Sequence, residues 1–264
     1  MTEDGTGGWD RRVALVTGAG RGIGRAIAYA LADSGFDIAV NDLARDDNAE
    51  ATLDGLEARG ARALFLAADI ADENGHEPLL DTLWAHFGRL DCLVNNAGVS
   101  QPRGDLLEQT AETLDRVLAV NLRAPFLLSQ AVARRMVAVR PAPPEASRGL
   151  VFITSVNATM ISPERGAYSV SKAALSAASR VFAARLAEAG IVVYEIRPGV
   201  IATDMTAVVK ETYDRRIAEG LSPIARWGRP EEVGRAVAAL VNGALPFSTG
   251  DAFRIDGGLH IHRL

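Results

Sequence analysis

Short apolar runs, many of them rich in β-branched residues, alternate with longer helical patterns along the whole chain. This alternation predicts an α/β fold with a doubly wound, seven-stranded parallel sheet that carries helices on both faces. No segment has the composition of a linker, so the 264 residues are predicted to form a single domain. The predicted strands are Val13–Thr17, Asp37–Asn41, Ala63–Ala67, Cys92–Asn95, Leu150–Thr154, Val192–Ile196 and Ala252–Ile255. The predicted helices are Ile23–Ser34, Asn48–Arg59, Glu73–Phe87, Ala111–Val139, Tyr168–Ala189 and Glu231–Leu240.

A glycine-rich turn lies between the first predicted strand and the first predicted helix. Gly18, Gly22 and Gly24 would let the backbone turn tightly and approach a pyrophosphate, which the free N–H groups of the helix N-terminus would bind. A glycine-rich turn alone is weak evidence, but here the strand, the turn and the helix occur in the required order. The turn therefore predicts a dinucleotide-binding Rossmann fold.

Tyr168 and Lys172 are four residues apart in a predicted helix, and Ser155 precedes them. Residues at i and i+4 share one helix face, so the Lys172 ammonium can lie beside the Tyr168 phenol. A neighbouring cation stabilises phenolate and is expected to lower the pKa of Tyr168, which would make it usable as a general acid or base. The pair also arises by chance on solvated helices, so its meaning depends on the rest of the chain.

These motifs occur with Asn95-Asn-Ala-Gly98 and Asn121 in an order and spacing that closely resembles the classical short-chain dehydrogenase/reductase family, from about Arg12 to about Gly258. The resemblance implies an NAD(P)-dependent oxidoreductase that transfers a hydride between nicotinamide and a carbonyl or secondary alcohol. The implied catalytic residues are Asn121, Ser155, Tyr168 and Lys172. The implied cofactor-binding residues are Gly18, Arg21, Gly22, Ile23, Gly24, Asp42, Asp69, Ile70, Asn95, Ala97, Gly98, Tyr168, Lys172, Pro198, Gly199 and Thr203.

The resemblance also implies a role for each catalytic residue. Tyr168 would exchange a proton with the substrate oxygen, and Ser155 would hydrogen-bond the same oxygen. Lys172 would hold the nicotinamide ribose, and Asn121 would hold a water of a proton relay. Taken alone, Asn121 would instead read as a misplaced capping residue.

Asp42, at the end of the second predicted strand, bears on the identity of the cofactor. Its carboxylate would accept hydrogen bonds from the adenosine ribose and repel a 2′-phosphate, which favours NAD. Arg21 favours NADP instead, because family members that use NADP often carry a basic residue at this place in the turn. We expect NAD, with NADP possible. Asp69 is expected either to contact the adenine or to cap the following helix.

The substrate is less well determined by the sequence. Within the family the pattern is similar to the 3-oxoacyl-[acyl-carrier-protein] reductases, but Asp42 departs from their usual preference for NADPH. A catabolic NAD-dependent dehydrogenase of a sugar, polyol or hydroxy acid is the alternative, and a non-catalytic dinucleotide sensor is a remote one. The segment 206–228 follows a strand end and is expected to form a lid over the substrate, or else a surface decoration or an oligomer contact.

Composition limits the possible partners and the cellular location. The net charge of −5 argues against nucleic-acid binding, which would need a clustered basic surface. No apolar run approaches the length of a membrane span, and the single cysteine, Cys92, suits a reducing compartment. We therefore expect a cytoplasmic enzyme. No metal site is expected, because His260 and His262 have no evident third ligand. The resemblance implies a homotetramer that pairs the predicted helices Ala111–Val139 and Tyr168–Ala189.

Overall fold

The protein was analysed as a computed structural model that describes residues 11–139, 148–207 and 209–262. Its strands form one parallel sheet in the order β3-β2-β1-β4-β5-β6-β7. The strands are β1 Arg12–Thr17, β2 Phe36–Asp42, β3 Ala63–Ala67, β4 Cys92–Asn95, β5 Arg148–Ile153, β6 Ile191–Pro198 and β7 Ala252–Ile255. The seven-stranded, doubly wound fold predicted from the sequence is confirmed.

The helices connect successive strands, as a parallel sheet requires. They are α1 Gly22–Asp33, α2 Asp47–Glu57, α3 His76–Phe87, α4 Ala111–Leu118, α5 Ala124–Ala138, α6 Gly166–Leu186, α7 Asp204–Ala207, α8 Lys210–Ala218 and α9 Pro230–Val241. No helix among these described residues is long and apolar enough to cross a membrane.

The central strand β1 shows why the sheet is covered on both faces. Val13 and Leu15 pack into one apolar cluster with side chains of α3, α5 and α6. Ala14 and Val16 point the other way and pack with side chains of α1, α2 and α9. All four are fully buried. Because side chains alternate between the two faces of a strand, an unbroken apolar run is what a strand buried on both faces needs.

The order of the strands places a cleft at one edge of the sheet. The chain builds outward from β1 to β3 and then returns to the other side of β1 to form β4. At such a reversal, the connections after β1 and β4 diverge to opposite faces and leave a crevice at the carboxyl ends of the strands. The predicted site residues follow the carboxyl ends of β1, β2, β3, β4, β5 and β6, so the topology gathers them at this edge.

The prediction of one continuous helix between β4 and β5 is wrong. The pattern Ala111–Val139 forms two helices, α4 and α5, separated by a π-helical turn at Ala119–Arg123. Pro125 lacks an N–H and cannot donate to the carbonyl of Asn121 as an α-helix would require. Asn121 lies in the same turn, and its fully buried side chain forms hydrogen bonds with the backbone of Val99, which follows β4. Such turns are frequent at functional sites.

Candidate active site

A cleft of about 1240 Å³ lies at the carboxyl ends of the strands. The glycine turn lies in its wall, as do residues that follow β2 to β6. The predicted site residues that line it are Gly18, Arg21, Gly22, Ile23, Gly24, Asp42, Asp69, Ile70, Ala97, Gly98, Ser155, Tyr168, Lys172, Pro198, Gly199 and Thr203. Two predicted site residues, Asn95 and Asn121, do not line it.

The glycine turn has the backbone geometry that a bound pyrophosphate needs. Gly18 and Gly22 have φ values of 63° and 58°, in the left-handed region that side chains disfavour. A Cβ at Gly24 would lie 2.2 Å from the carbonyl oxygen of Gly18, so only glycine fits there. The N-cap residue of α1, Arg21, makes no side-chain capping bond. The first N–H groups of α1 are therefore available to an anion, and the turn fits a dinucleotide.

Asp42 is the last residue of β2 and lies beside the glycine turn. Its Oδ2 accepts a hydrogen bond from the Gly20 N–H at 3.0 Å, and its Oδ1 accepts one from the Leu43 N–H at 2.9 Å. These bonds hold the carboxylate at the wall of the cleft, where it keeps further acceptor capacity for a ligand. Arg21 is exposed at the same end.

The loop after β3 supplies Asp69 and Ile70 to the cleft. The Asp69 Oδ1 accepts a hydrogen bond from the Ala71 N–H at 2.9 Å, so it stabilises the loop rather than capping a long helix. His76 is buried, and its Nε2 lies 2.8 Å from the carbonyl oxygen of Ile70. Sequence reasoning did not identify His76, because nothing local shows that a helical histidine reaches back to this loop.

At the end of β4, Asn96 lines the cleft, whereas the predicted Asn95 does not. Asn95 is buried, and its Nδ2 donates to the Ser129 Oγ at 2.9 Å. Asn96 instead donates through its Nδ2 to the carbonyl oxygens of Thr17 and Gly18, at 2.9 and 3.1 Å. Asn96 therefore ties β4 to the glycine turn, while Asn95 ties β4 to α5.

Ser155, Tyr168 and Lys172 come together in the part of the cleft that follows β5. The Lys172 Nζ lies 5.7 Å from the centre of the Tyr168 ring and donates to the carbonyl oxygen of Ile153 at 3.0 Å. The Ser155 Oγ accepts a hydrogen bond from the Asn157 N–H at 3.1 Å. The spacing of four residues on α6 therefore does place the ammonium beside the phenol.

The expected lowering of the Tyr168 pKa is wrong. Burial raises the pKa of Tyr168 above its usual value, and the neighbouring Ser155 hydroxyl and Arg165 guanidinium oppose this rise only in part. Burial also lowers the pKa of Lys172 to about 8, and the negative charge of Glu195 opposes that shift. At both residues, desolvation thus shifts the pKa by more than the neighbouring groups that oppose it.

Asn121 is held by a closed set of hydrogen bonds. Its Oδ1 accepts from the Val99 N–H at 2.8 Å, and its Nδ2 donates to the Val99 carbonyl oxygen at 2.9 Å and to the Ser171 Oγ at 3.1 Å. A Cβ at Gly98 would lie 3.2 Å from the Asn121 Oδ1 and 3.5 Å from the Lys172 Nζ. Asn121 therefore lies next to the lysine, behind the wall of the cleft.

A buried carboxylate that the sequence did not reveal lies beneath this site. Glu195 on β6 accepts hydrogen bonds from the Thr154 and Ser176 hydroxyls at 2.6 and 2.8 Å. It also pairs with the Arg197 guanidinium, which donates to it at 2.7 and 3.1 Å. Thr154 directly precedes Ser155, and Ser176 lies one turn after Lys172, so Glu195 connects β5, β6 and α6 behind the reactive side chains.

A glycine turn from strand to helix, a carboxylate at the end of the second strand and a tyrosine–lysine pair in the same cleft define a nicotinamide-dependent oxidoreductase of the Rossmann class. The sequence model of a family described as enoyl-(acyl carrier protein) reductase matches residues 18–260. The chain belongs to the short-chain dehydrogenase/reductase family. The NAD(P)-dependent oxidoreductase expected from the sequence is confirmed.

Known relatives of the chain differ in the substrate that their names give. The chain is 36% identical to a 3-oxoacyl-[acyl-carrier-protein] reductase of Synechocystis sp., over 94% of this chain and 96% of that protein. It is similar to the crystal structure of a 3-oxoacyl-[acyl-carrier protein] reductase from Brucella melitensis in complex with NAD, with a TM-score of 0.92 and 45% identity over 97% and 99% of the two chains. It is also 32% identical to glucose 1-dehydrogenase 2 of Bacillus subtilis, over 99% and 98%.

Proposed function

We propose that the protein transfers a hydride between NAD(H) and the ketone or hydroxyl carbon of a 3-oxoacyl compound. The observation that carries this proposal is the convergence of Ser155, Tyr168 and Lys172 in the cleft that also holds the glycine turn. The relatives from Synechocystis sp. and Brucella melitensis, both named 3-oxoacyl-[acyl-carrier-protein] reductases, support the 3-oxoacyl group.

The side chains of the cleft handle the proton and the charge of the reaction. Bound nicotinamide supplies the hydride that adds to the carbonyl carbon. Tyr168 donates its hydroxyl proton to the carbonyl oxygen, and Ser155 donates a hydrogen bond that stabilises the negative charge developing there. Lys172, with a pKa of about 8, is mainly charged at neutral pH and binds the ribose hydroxyls. In the oxidation, Tyr168 takes the proton from the alcohol.

We assign to Asn121 the role of holding the water molecule of a proton relay through its main-chain carbonyl oxygen. Its side chain is engaged by Val99 and Ser171, whereas its carbonyl oxygen loses the α-helical partner that Pro125 cannot provide. The Asn121 side chain lies near Lys172, and a main-chain carbonyl without its helical partner can accept a hydrogen bond from a water molecule there.

NAD is the preferred cofactor in this proposal. The Asp42 carboxylate is held at the wall of the cleft by two backbone N–H groups, so it cannot easily swing away from a 2′-phosphate. Arg21 is exposed. The attraction of this flexible, solvated cation for a 2′-phosphate is weaker than the repulsion by the fixed Asp42 carboxylate. The NAD complex of the Brucella melitensis relative also supports this choice.

Replacing Asp42 with Ala tests the cofactor preference. Because the repulsion of the 2′-phosphate is removed, the kcat/KM for NADP relative to that for NAD should rise about tenfold or more. Steady-state rates with both cofactors give this ratio. Asp47→Ala removes the same charge from an exposed position at the start of α2 and should leave the ratio unchanged. A wild-type enzyme that already favours NADP would contradict the assignment to Asp42.

The segment 206–228 is assigned as a cover over the substrate. Met205 just before it, and Tyr213 and Leu221 within it, line the cleft. The Tyr213 hydroxyl accepts a hydrogen bond from Arg103 at 3.0 Å, which joins α8 to the opposite wall. Hydrogen exchange within this segment should slow when NAD and a substrate analogue are both bound.

A homotetramer is supported by an apolar groove on α5, α6 and the π turn. Leu122, Phe126, Ala177 and Val181 line this groove of about 530 Å³, and Val181 is 61% exposed. We assign a second copy of the chain as its occupant, which would bury the same surface on both copies about a two-fold axis. The mass in solution, expected at four times 28.0 kDa, checks the assembly.

A panel of substrates tests the function itself. The wild type should reduce an acetoacetyl thioester with NADH and should oxidise glucose and polyols with NAD more slowly. The polar side chains of Asn157 and Glu164 on the cleft wall favour the sugar or polyol dehydrogenase as the second candidate, as does the Bacillus subtilis relative. Faster oxidation of a sugar or polyol would establish that alternative. Tight NAD binding with no turnover of any carbonyl or alcohol would show a non-catalytic sensor.

A further inference from the structure

Two arginine side chains on the substrate side of the cleft contain nitrogen atoms that are buried without a hydrogen-bond partner. Arg165 ends the short 3₁₀ turn Pro163–Arg165 just before α6, and its Nε has no acceptor. The Nε of Arg103 has none either. Buried polar groups in proteins are almost always paired, so an unpaired donor in the wall of a cleft indicates that a ligand supplies the acceptor.

The charge of Arg165 is also uncompensated. Glu164 is its neighbour in sequence, but the Glu164 carboxylate pairs with Arg103 at 3.1 Å. Among the described residues, no carboxylate forms an ion pair with Arg165, and its guanidinium instead lies 5.2 Å from the centre of the Tyr168 ring. A half-buried guanidinium without a carboxylate partner favours a carboxylate or a phosphate, which it can bind with two parallel hydrogen bonds.

The wider cleft has an excess of positive charge over negative, although the chain as a whole carries −5. The described cations that line it are Arg21, Arg103, Arg116, Arg165, Lys172 and Arg216. The described carboxylates that line it are Asp42, Asp69, Glu164 and Asp204. Arg21, Asp42 and Asp69 belong to the cofactor end, so the remaining excess of positive charge faces the substrate.

Arg165 lies close to the reacting centre. Its positive charge opposes the rise in the pKa of Tyr168, so its field reaches the hydroxyl that exchanges the proton. A group bound by Arg165 would therefore lie only a few bonds from the substrate carbonyl. Arg103, held by Glu164 and Tyr213, adds a second guanidinium to the same wall.

We propose that Arg165 binds an anionic oxygen group of the substrate, a carboxylate or a phosphate near the reacting carbonyl, and so selects an anionic substrate. The proposal rests on the oxidoreductase function proposed above and narrows its substrate. Among ketone substrates, those that carry a negative charge close to the ketone are preferred over neutral ones of similar size.

The test compares charged and neutral substrates of similar size in wild type, Arg165→Gln and Arg165→Lys. Acetoacetate is compared with 4-hydroxy-2-butanone, and dihydroxyacetone phosphate with dihydroxyacetone, all with NADH. In wild type, kcat/KM should favour the charged member of at least one pair, and the pair with the larger ratio identifies carboxylate or phosphate. In Arg165→Gln this ratio should fall roughly 10- to 100-fold, the range for a charged hydrogen bond. Arg165→Lys should restore part of it, since it keeps the charge but not the planar fork.

Two controls separate this proposal from its alternatives. Arg185→Gln removes the same charge from an exposed position on α6 outside the cleft and should not change the ratio. NADH binding, followed by its fluorescence, should be the same in all variants. Equal losses on charged and neutral substrates in Arg165→Gln would overturn the proposal, because Arg165 would then act only through Tyr168. Wild-type turnover of a neutral acetoacetyl thioester with no preference for an anion would overturn it too, whereas no turnover at all would overturn the proposed function.

Discussion

Tyr168→Phe should lower kcat by about 10²–10⁴-fold while leaving the fold and the binding of NAD intact. The substitution removes one oxygen atom, the one that exchanges a proton with the substrate. The Tyr168 ring lies in the wall of the cleft beside Lys172 and Arg165, and phenylalanine preserves those ring contacts. Single-turnover rates with saturating NADH measure the chemical step without product release.

A matched control is available on α1. The Tyr29 hydroxyl donates to the carbonyl oxygen of Ala51 on α2 at 2.9 Å, and Tyr29 does not line the cleft. Tyr29→Phe removes the same atom and should leave kcat within a factor of a few of the wild type. If Tyr168→Phe retained a kcat close to that of Tyr29→Phe, Tyr168 would not be the proton-transfer residue.

The pH profile adds an independent check on Tyr168. Burial raises the pKa of this tyrosine, so its hydroxyl stays protonated at neutral pH. A protonated phenol suits the reduction, in which it donates a proton, and the oxidation needs it to accept one. Reduction should therefore persist at neutral pH, and oxidation should accelerate as the pH rises until Lys172, with a pKa of about 8, loses its proton.

The fold was predictable from the sequence because its signals are local and periodic. The bounds predicted for β3, β4 and β7 agree with the structure, since turn residues flank each of these apolar runs. The prediction of one helix over Ala111–Val139 was wrong because the apolar period continues through the π turn. Only Pro125, which lacks an N–H, indicates that a helical hydrogen bond is missing there.

The site was less predictable where its contacts connect distant parts of the chain. Asn95 and Asn96 are identical in type, and which of them faces the glycine turn depends on the register of β4. The pKa of Tyr168 depends on its burial, which spacing along a helix does not show. Glu195 reads as a polar residue within a strand until α6 and Arg197 are placed against it.

Glu195→Gln should destabilise the protein and also change the pH dependence of its activity. The substitution leaves Arg197, whose side chain is only 12% exposed, without its carboxylate partner. Breaking a buried ion pair by removing one partner lowers the free energy of unfolding by about 3–5 kcal/mol. Denaturant unfolding should show this loss.

The effect on pH follows from the position of Glu195 near Lys172. Its negative charge favours the charged ammonium and so opposes the burial that lowers the pKa of Lys172 to about 8. Without that charge, Lys172 loses its proton at a lower pH. Activity that needs the ammonium is present below this pKa and lost above it, so the alkaline limb of the kcat/KM profile should move to lower pH in Glu195→Gln.

Asp37→Asn separates the two effects. Asp37 is also a buried carboxylate, paired with Arg11 at 3.3 Å and Arg62 at 2.6 Å, but it lies near the start of β2, away from the cleft. Its replacement should also lower the free energy of unfolding, by less because Arg11 and Arg62 are partly exposed, and should leave the pH profile of kcat/KM unchanged. If the Glu195→Gln profile coincided with that of Asp37→Asn, Glu195 would be a structural ion pair without influence on Lys172. A profile shifted only in Glu195→Gln would show that the charge beneath the site sets the pH range in which the lysine works.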